Sequence, residues 1–124
     1  MGYGKDKGVK RLVKACGYTI AGFKAAWTHK ASFRQEIIMA GLMVPLAVRL
    51  GESPTQKAVL IGTYFIIPLT ELLNYAIEVT VDRIGPARHT LSGRAKDLGS
   101  AAVFMSICIA LIVWILIVCE RYFK

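Results

Sequence analysis

Two apolar runs organise the chain: Ile37–Val48 carries no charge for 12 positions and Leu98–Cys119 none for 22. A helix on the surface of a soluble domain interleaves polar positions every few residues, and these runs do not. Leu98–Cys119 is a transmembrane helix by length alone. The other run reaches 18 residues when extended to Phe33–Leu50, with Arg34, Glu36 and Arg49 expected at the two surfaces, where long side chains reach water. Pro45 lies inside it and predicts a kink unless neighbours re-satisfy the freed carbonyl. Ala58–Val81 spans 24 residues, enough to cross with some tilt, although it holds Pro68, Glu71, Asn74 and Glu78. Gly51-Glu52-Ser53-Pro54-Thr55 reads as a turn, with Ser53 as N-cap and Pro54 at the first helical position.

Ahead of these spans, Val9, Leu12, Val13, Cys16, Ile20, Phe23 and Trp27 follow the helical period, flanked by Lys10, Arg11, Lys14 and Lys24. A basic amphipathic helix of this kind lies in a membrane interface. The expected fold is therefore an all-α membrane protein in one domain, residues 1–124, with a surface helix at about 9–30 and spans at about 33–50, 58–81 and 98–119.

Composition agrees. Of 124 residues 55% are hydrophobic, which excludes disorder, and few Pro and Cys exclude collagen-like and disulfide-rich classes. Cys16, Cys108 and Cys119 show neither a CxxC pair nor zinc spacing. The net charge of +8 is unevenly placed: residues 1–36 hold 8 Lys+Arg and 82–97 hold 4, against 4 at the other side. This bias puts the N-terminus and the 82–97 stretch in the cytoplasm and the C-terminus outside. Anionic headgroups or a polyanionic ligand are attracted to such a face. Nucleic acid is disfavoured, because these basic residues flank spans.

Within the second span Glu71, Asn74, Glu78 and Asp82 are spaced 3, 4 and 4. At about 100° per residue they form one stripe about 80° wide, and at ~1.5 Å per residue Glu71 lies about 16 Å deeper than Asp82. Such groups in a span face a bundle interior or cleft. A deep carboxylate suits a general base for a hydroxyl held in the lipid zone, and a shallower one suits Mg²⁺ shared with phosphate. Interhelical hydrogen bonding and proton or cation transport are the competing readings of the stripe. Neither a Walker A loop nor a kinase-type Gly loop is present.

Glu71-Leu-Leu-Asn74-Tyr-Ala-Ile-Glu78-Val-Thr-Val-Asp82-Arg83, followed by Ser92-Gly-Arg-Ala-Lys96-Asp97-Leu-Gly-Ser-Ala-Ala, resembles the prokaryotic integral-membrane diacylglycerol kinase family. Lys14-Ala-Cys-Gly17-Tyr18, Ala25-Ala-Trp27 and Phe33-Arg34-Gln35-Glu36 extend the resemblance over essentially the whole chain. It implies a helical-bundle homotrimer with active sites shared between subunits, in the bacterial inner membrane. It implies transfer of the ATP γ-phosphoryl group, with Mg²⁺, to the hydroxyl of diacylglycerol. Glu71 then resembles the catalytic base, Glu78 a metal ligand and nucleotide contact, and Asn74 and Asp82 supporting groups. Arg11, Tyr18, His89, Lys96 and Asp97 resemble ATP contacts, and Arg11, Trp27, Ser32, Phe33, Arg34, Glu36, Glu71 and Ser100 resemble the family's lipid contacts.

The chain departs from the family pattern at Lys30, where a second metal-binding Glu is expected. It departs again at Ala87, Arg88 and Thr90, which remove acidic or aromatic positions around His89, and mildly at Lys24, where Arg is usual. A kinase for undecaprenol or another lipid alcohol, a small oligomeric cation transporter and a lipid-sensing scaffold are the rival functions.

Overall fold

The computed structural model describes residues 7–85 and 89–123. They form four helices: α1 (Val9–His29), α2 (Ala31–Leu50), α3 (Pro54–Ile84) and α4 (Thr90–Tyr122). The last three are long and apolar enough to cross a membrane. Between α2 and α3 the predicted turn chemistry is realised: Ser53 Oγ accepts from Gln56 N at 3.1 Å, and Pro54 opens α3, where a missing N–H costs nothing. The helices continue through Pro45 and Pro68.

The core is built from small residues and a few large ones. Ala26, Phe33, Ala40, Ala47, Leu60, Tyr64 and Ala110 are buried. In lipid the driving force for helix contact is close packing and hydrogen bonding rather than escape from water, and small side chains permit both. α3 and α4 make the most extensive pair. Thr70 Oγ1 donates to Ser106 Oγ at 3.0 Å, and Trp114 Nε1 donates to the Leu60 carbonyl at 3.1 Å. The Tyr64 hydroxyl donates to the Glu36 carbonyl and ties α3 to α2. Most of the surface of α4, and the apolar side of α1 at Val9, Leu12, Val13, Ile20, Phe23 and Trp27, stays open on the single chain.

The helix ends and one side chain differ from the spans and surfaces read from the sequence. Among the described residues of 82–97 most are helical: α3 runs on to Ile84, and α4 begins at Thr90, eight residues before its apolar run. A helix satisfies its own backbone and so continues past the lipid zone, while the His89 Nδ1 caps α4 by accepting from Leu91 N at 3.0 Å. Ala87 and Arg88 lie outside the described residues. The second change is at Glu36, which does not reach out to a surface beside Arg34. Its Oε1 is sequestered without a hydrogen-bond partner among the described residues.

Candidate active site

A single residue, Lys30, joins α1 to α2. Its extended backbone (φ −116°, ψ 97°) ends one helix and starts the next. The Lys30 N–H closes α1 on the Ala26 carbonyl at 2.8 Å, and its own carbonyl accepts from Arg34 N at 3.1 Å. The abrupt junction points the start of α2 at the polar stripe of α3. Ser32 and Glu36 are four residues apart, hence on one side of α2. Lys30 reaches the same region from the joint itself.

The stripe becomes more exposed from depth to surface, as its spacing predicts. Glu71 and Asn74 are buried, at 4% and 6% exposure, and the side chains of Glu78 and Asp82 are 32% and 68% exposed. Ser32 Oγ donates to Glu71 Oε2. Lys30 Nζ donates to Glu78 Oε1 at 2.8 Å, and Asn74 Nδ2 donates to the same oxygen at 3.3 Å. Glu36 stands within electrostatic reach of both Glu71 and Lys30. Six polar side chains from the α1–α2 joint, α2 and α3 thus form one cluster, with Glu71 at its floor.

Asn74 is pinned from its other side. Its Oδ1 is buried without a hydrogen-bond partner among the described residues and faces Gly99, where a Cβ would overlap it. The α3–α4 approach at this level depends on that glycine, and Ser100 follows it on the exposed side of α4. One turn up, Lys96 Nζ donates to Asp82 Oδ1 at 2.8 Å, a pair half open to solvent. Asp97 and His89 are exposed on the same end of α4.

Apolar surface borders the cluster. Phe23, Phe33, Ile37, Phe65, Pro68 and Leu69 line a groove of about 370 Å³ between α1, α2 and α3. Phe23 and Phe33 stack across its rim at 6.4 Å between centroids. Arg34 Nη1 donates to the Trp27 carbonyl at 2.6 Å, which braces the α1–α2 corner. Trp27 itself is exposed.

The structure therefore brings together Ser32, Glu36, Glu71, Asn74 and Glu78, and separately Asp82 with Lys96. Arg11 and Tyr18 are on exposed faces of α1, about 27 Å and about 16 Å along its axis from His29 at ~1.5 Å per residue. Lys30 enters the cluster as an ion-pair partner, which its sequence neighbourhood did not announce. The one sequence signal for Glu36 pointing inward was its i, i+4 relation to Ser32.

The donor set does not suit a divalent cation on Glu78. Mg²⁺ demands oxygen donors in near-octahedral order, and Oε1 of Glu78 already takes an ammonium and an amide. Among the described residues no group of three or more His, Cys, Asp or Glu side chains is placed to hold a metal.

The family model for prokaryotic diacylglycerol kinase matches residues 17–118. The chain is 43% identical over 115 residues to the diacylglycerol kinase of Escherichia coli strain K12, covering 93% of this chain and 94% of that one. It is 43% identical over 110 residues to the diacylglycerol kinase of Haemophilus influenzae, covering 89% and 93%. The diacylglycerol kinase of Pseudomonas aeruginosa is 42% identical over 107 residues, covering 86% and 87%.

Proposed function

The chain belongs to the prokaryotic diacylglycerol kinase family, and on that premise we propose that it transfers the γ-phosphoryl group of ATP to the hydroxyl of diacylglycerol, giving phosphatidic acid. The observation that carries this reading is the placement of Glu71. Its carboxylate is buried in a spanning helix, oriented by Ser32, at the floor of a polar cluster, and the same stripe of α3 ends separately in a solvent-facing Lys96–Asp82 pair. A lipid alcohol arrives from the bilayer side and a nucleotide from the aqueous side, and the stripe spans the two.

In this reading Glu71 accepts the proton of the lipid hydroxyl as that oxygen attacks the γ-phosphorus. The bond from the γ-phosphorus to the bridging oxygen breaks, and ADP leaves with the electron pair. The protein's share is positioning and charge neutralisation. Ser32 and Asn74 hold the two glutamates of the stripe, and Lys96 with Asp82, Asp97 and His89 forms the nucleotide end. Acyl chains stay in lipid along the Phe23–Phe33–Phe65 groove, with Trp27, Arg34, Glu36 and Ser100 near the headgroup. Mg²⁺, if supplied with the nucleotide, would neutralise phosphate charge, and none of these residue roles is routed through it.

Thr19, next to Tyr18, lines one groove with Val79 and Thr80 of α3, so the expected nucleotide contact of Tyr18 lies toward the Lys96–Asp82 end of the stripe. A homotrimer with sites shared between subunits, and with Arg11 among the nucleotide contacts, is proposed on family membership alone. The basic bias of residues 1–36 and 82–97 supports a multi-pass protein of the bacterial inner membrane, with a cytoplasmic N-terminus and an external C-terminus. A cation-relay reading suits the stripe less well, because Lys30 interposes a fixed positive charge at Glu78.

The test is phosphoryl transfer from labelled ATP in mixed micelles containing diacylglycerol, undecaprenol or no added lipid. Labelled phosphatidic acid from the wild type and none from Glu71→Gln, with ATP affinity retained, is the expected result. Preference for undecaprenol would reassign the acceptor, and turnover by Glu71→Gln would remove the proposed base.

A further inference from the structure

Lys30 and Glu78 are 48 residues apart in sequence and meet at 2.8 Å, with the lysine side chain 18% exposed and the glutamate 32%. This is not a solvated surface pair of small consequence. Both charges are partly withdrawn from water, at the one residue that joins α1 to α2. The shared Glu78 oxygen is fixed from a second side by Asn74. Asn74 in turn is held between α3 and Gly99 of α4. The ion pair is thus anchored through α3, α4 and the α1–α2 joint.

The electrostatics of the site follow from this placement. A polyphosphate approaching an uncompensated Glu36, Glu71 and Glu78 meets three carboxylates. A cation at Glu78 offsets one of them at the upper edge of the cluster. A divalent ion bound there would have to displace the ammonium or sit beside it, against like-charge repulsion in a partly desolvated setting.

We propose that Lys30 is the resident cation of Glu78: a tethered ammonium in the place where a bound metal ion would otherwise compensate this carboxylate. Lys30 is a positioning residue, acting on incoming phosphate through Glu78. It follows that Glu78 is not a metal ligand in this chain and that any divalent ion enters only with the nucleotide. This deepens the kinase reading and rests on it only for the identity of the phosphate donor.

The experiment titrates Mn²⁺ alone into the full chain in lipid-containing micelles, without nucleotide, and follows the free ion by electron paramagnetic resonance. Wild type and Glu78→Gln are expected to bind Mn²⁺ equally, within about twofold. Lys30→Glu is expected to gain a Mn²⁺ site that disappears in Lys30→Glu/Glu78→Gln. Loss of a wild-type Mn²⁺ site in Glu78→Gln, or no gain in Lys30→Glu, overturns the proposal. A second arm reads the role of the charge: Lys30→Arg keeps the KM for ATP, whereas Lys30→Met raises it about tenfold with a smaller change in kcat. An unchanged KM in Lys30→Met also overturns it. The metal titration needs neither lipid substrate nor turnover, so its outcome stands apart from success or failure of the kinase assay.

Discussion

Ser32, in the first turn of α2, donates its hydroxyl hydrogen to Oε2 of Glu71, buried in the middle of α3. The bond fixes the carboxylate across a helix boundary. A hydrogen bond to a charged group contributes about 1.5–3 kcal/mol, and only part of that concerns orientation of the base. Ser32→Ala is therefore expected to lower kcat about tenfold, with a smaller effect on the KM for ATP. Ser32→Thr, which keeps the hydroxyl, should recover most of the loss. Steady-state kinetics on the three proteins checks both halves, and a Ser32→Ala enzyme with unchanged kcat would show that Glu71 does not depend on this donor.

The Lys96–Asp82 pair sits at the other end of the stripe, in solvent, with side chains 45% and 68% exposed. Such pairs add about 0–1 kcal/mol to stability. Lys96→Ala should leave the unfolding temperature in detergent nearly unchanged. If Lys96 meets the nucleotide, the same variant should bind ATP about tenfold more weakly, and the wild-type affinity should fall with added salt. A large drop in unfolding temperature would instead assign Lys96 a structural role.

The sequence and the structure agree where a pattern is carried by one element. The apolar runs predict α2, α3 and α4, and the 3, 4, 4 spacing predicts the exposure gradient from Glu71 to Asp82 because both depend only on helical geometry. The ends of α3 and α4 lie beyond the apolar segments, at Ile84 and Thr90. Hydropathy reports the lipid zone, whereas helix ends follow capping, here by His89. What could not be read along the chain is pairing between elements. Lys30 looked like a missing acid until α1 turned at that residue and brought its ammonium onto Glu78. Glu36 reads as a surface group because it stands with Arg34 at the end of the extended apolar run, yet its register with Ser32 turns it toward Glu71.

At the opposite end of the bundle Arg121 closes α2. Its Nη1 donates to the carbonyls of Arg49 at 2.6 Å and Leu50 at 2.9 Å, two of the acceptors a helix C-terminus leaves open. Glu52 stands 4.0 Å from Nε, and the guanidinium lies 5.4 Å from the Tyr122 ring centre. Arg121→Ala should destabilise the protein by about 1–2 kcal/mol through the lost carbonyl contacts. The ion pair with Glu52, at 4.0 Å and partly open to solvent, is expected to contribute less, about 0–1 kcal/mol, which Glu52→Ala reads out. Thermal unfolding in one detergent compares the two, and equal losses would shift the weight from the carbonyls to the ion pair.

Gly99 and Asn74 offer the sharpest test of the α3–α4 contact. A Cβ at Gly99 overlaps Asn74 Oδ1, and Asn74 is 6% exposed with Nδ2 committed to Glu78. Gly99→Ala therefore forces either the helices apart or the amide out of place, at about 1–3 kcal/mol for an overpacked position. Asn74→Ala removes the obstacle but frees Glu78 on one side. The double variant Gly99→Ala/Asn74→Ala should be more stable than Gly99→Ala alone, because the new methyl enters space the amide has vacated. A coupling of about 1 kcal/mol or more is expected from the cycle, as for residues in direct contact. Independent, additive losses would mean that the strain of Gly99→Ala is relieved elsewhere on α4 and that the amide is not held against it.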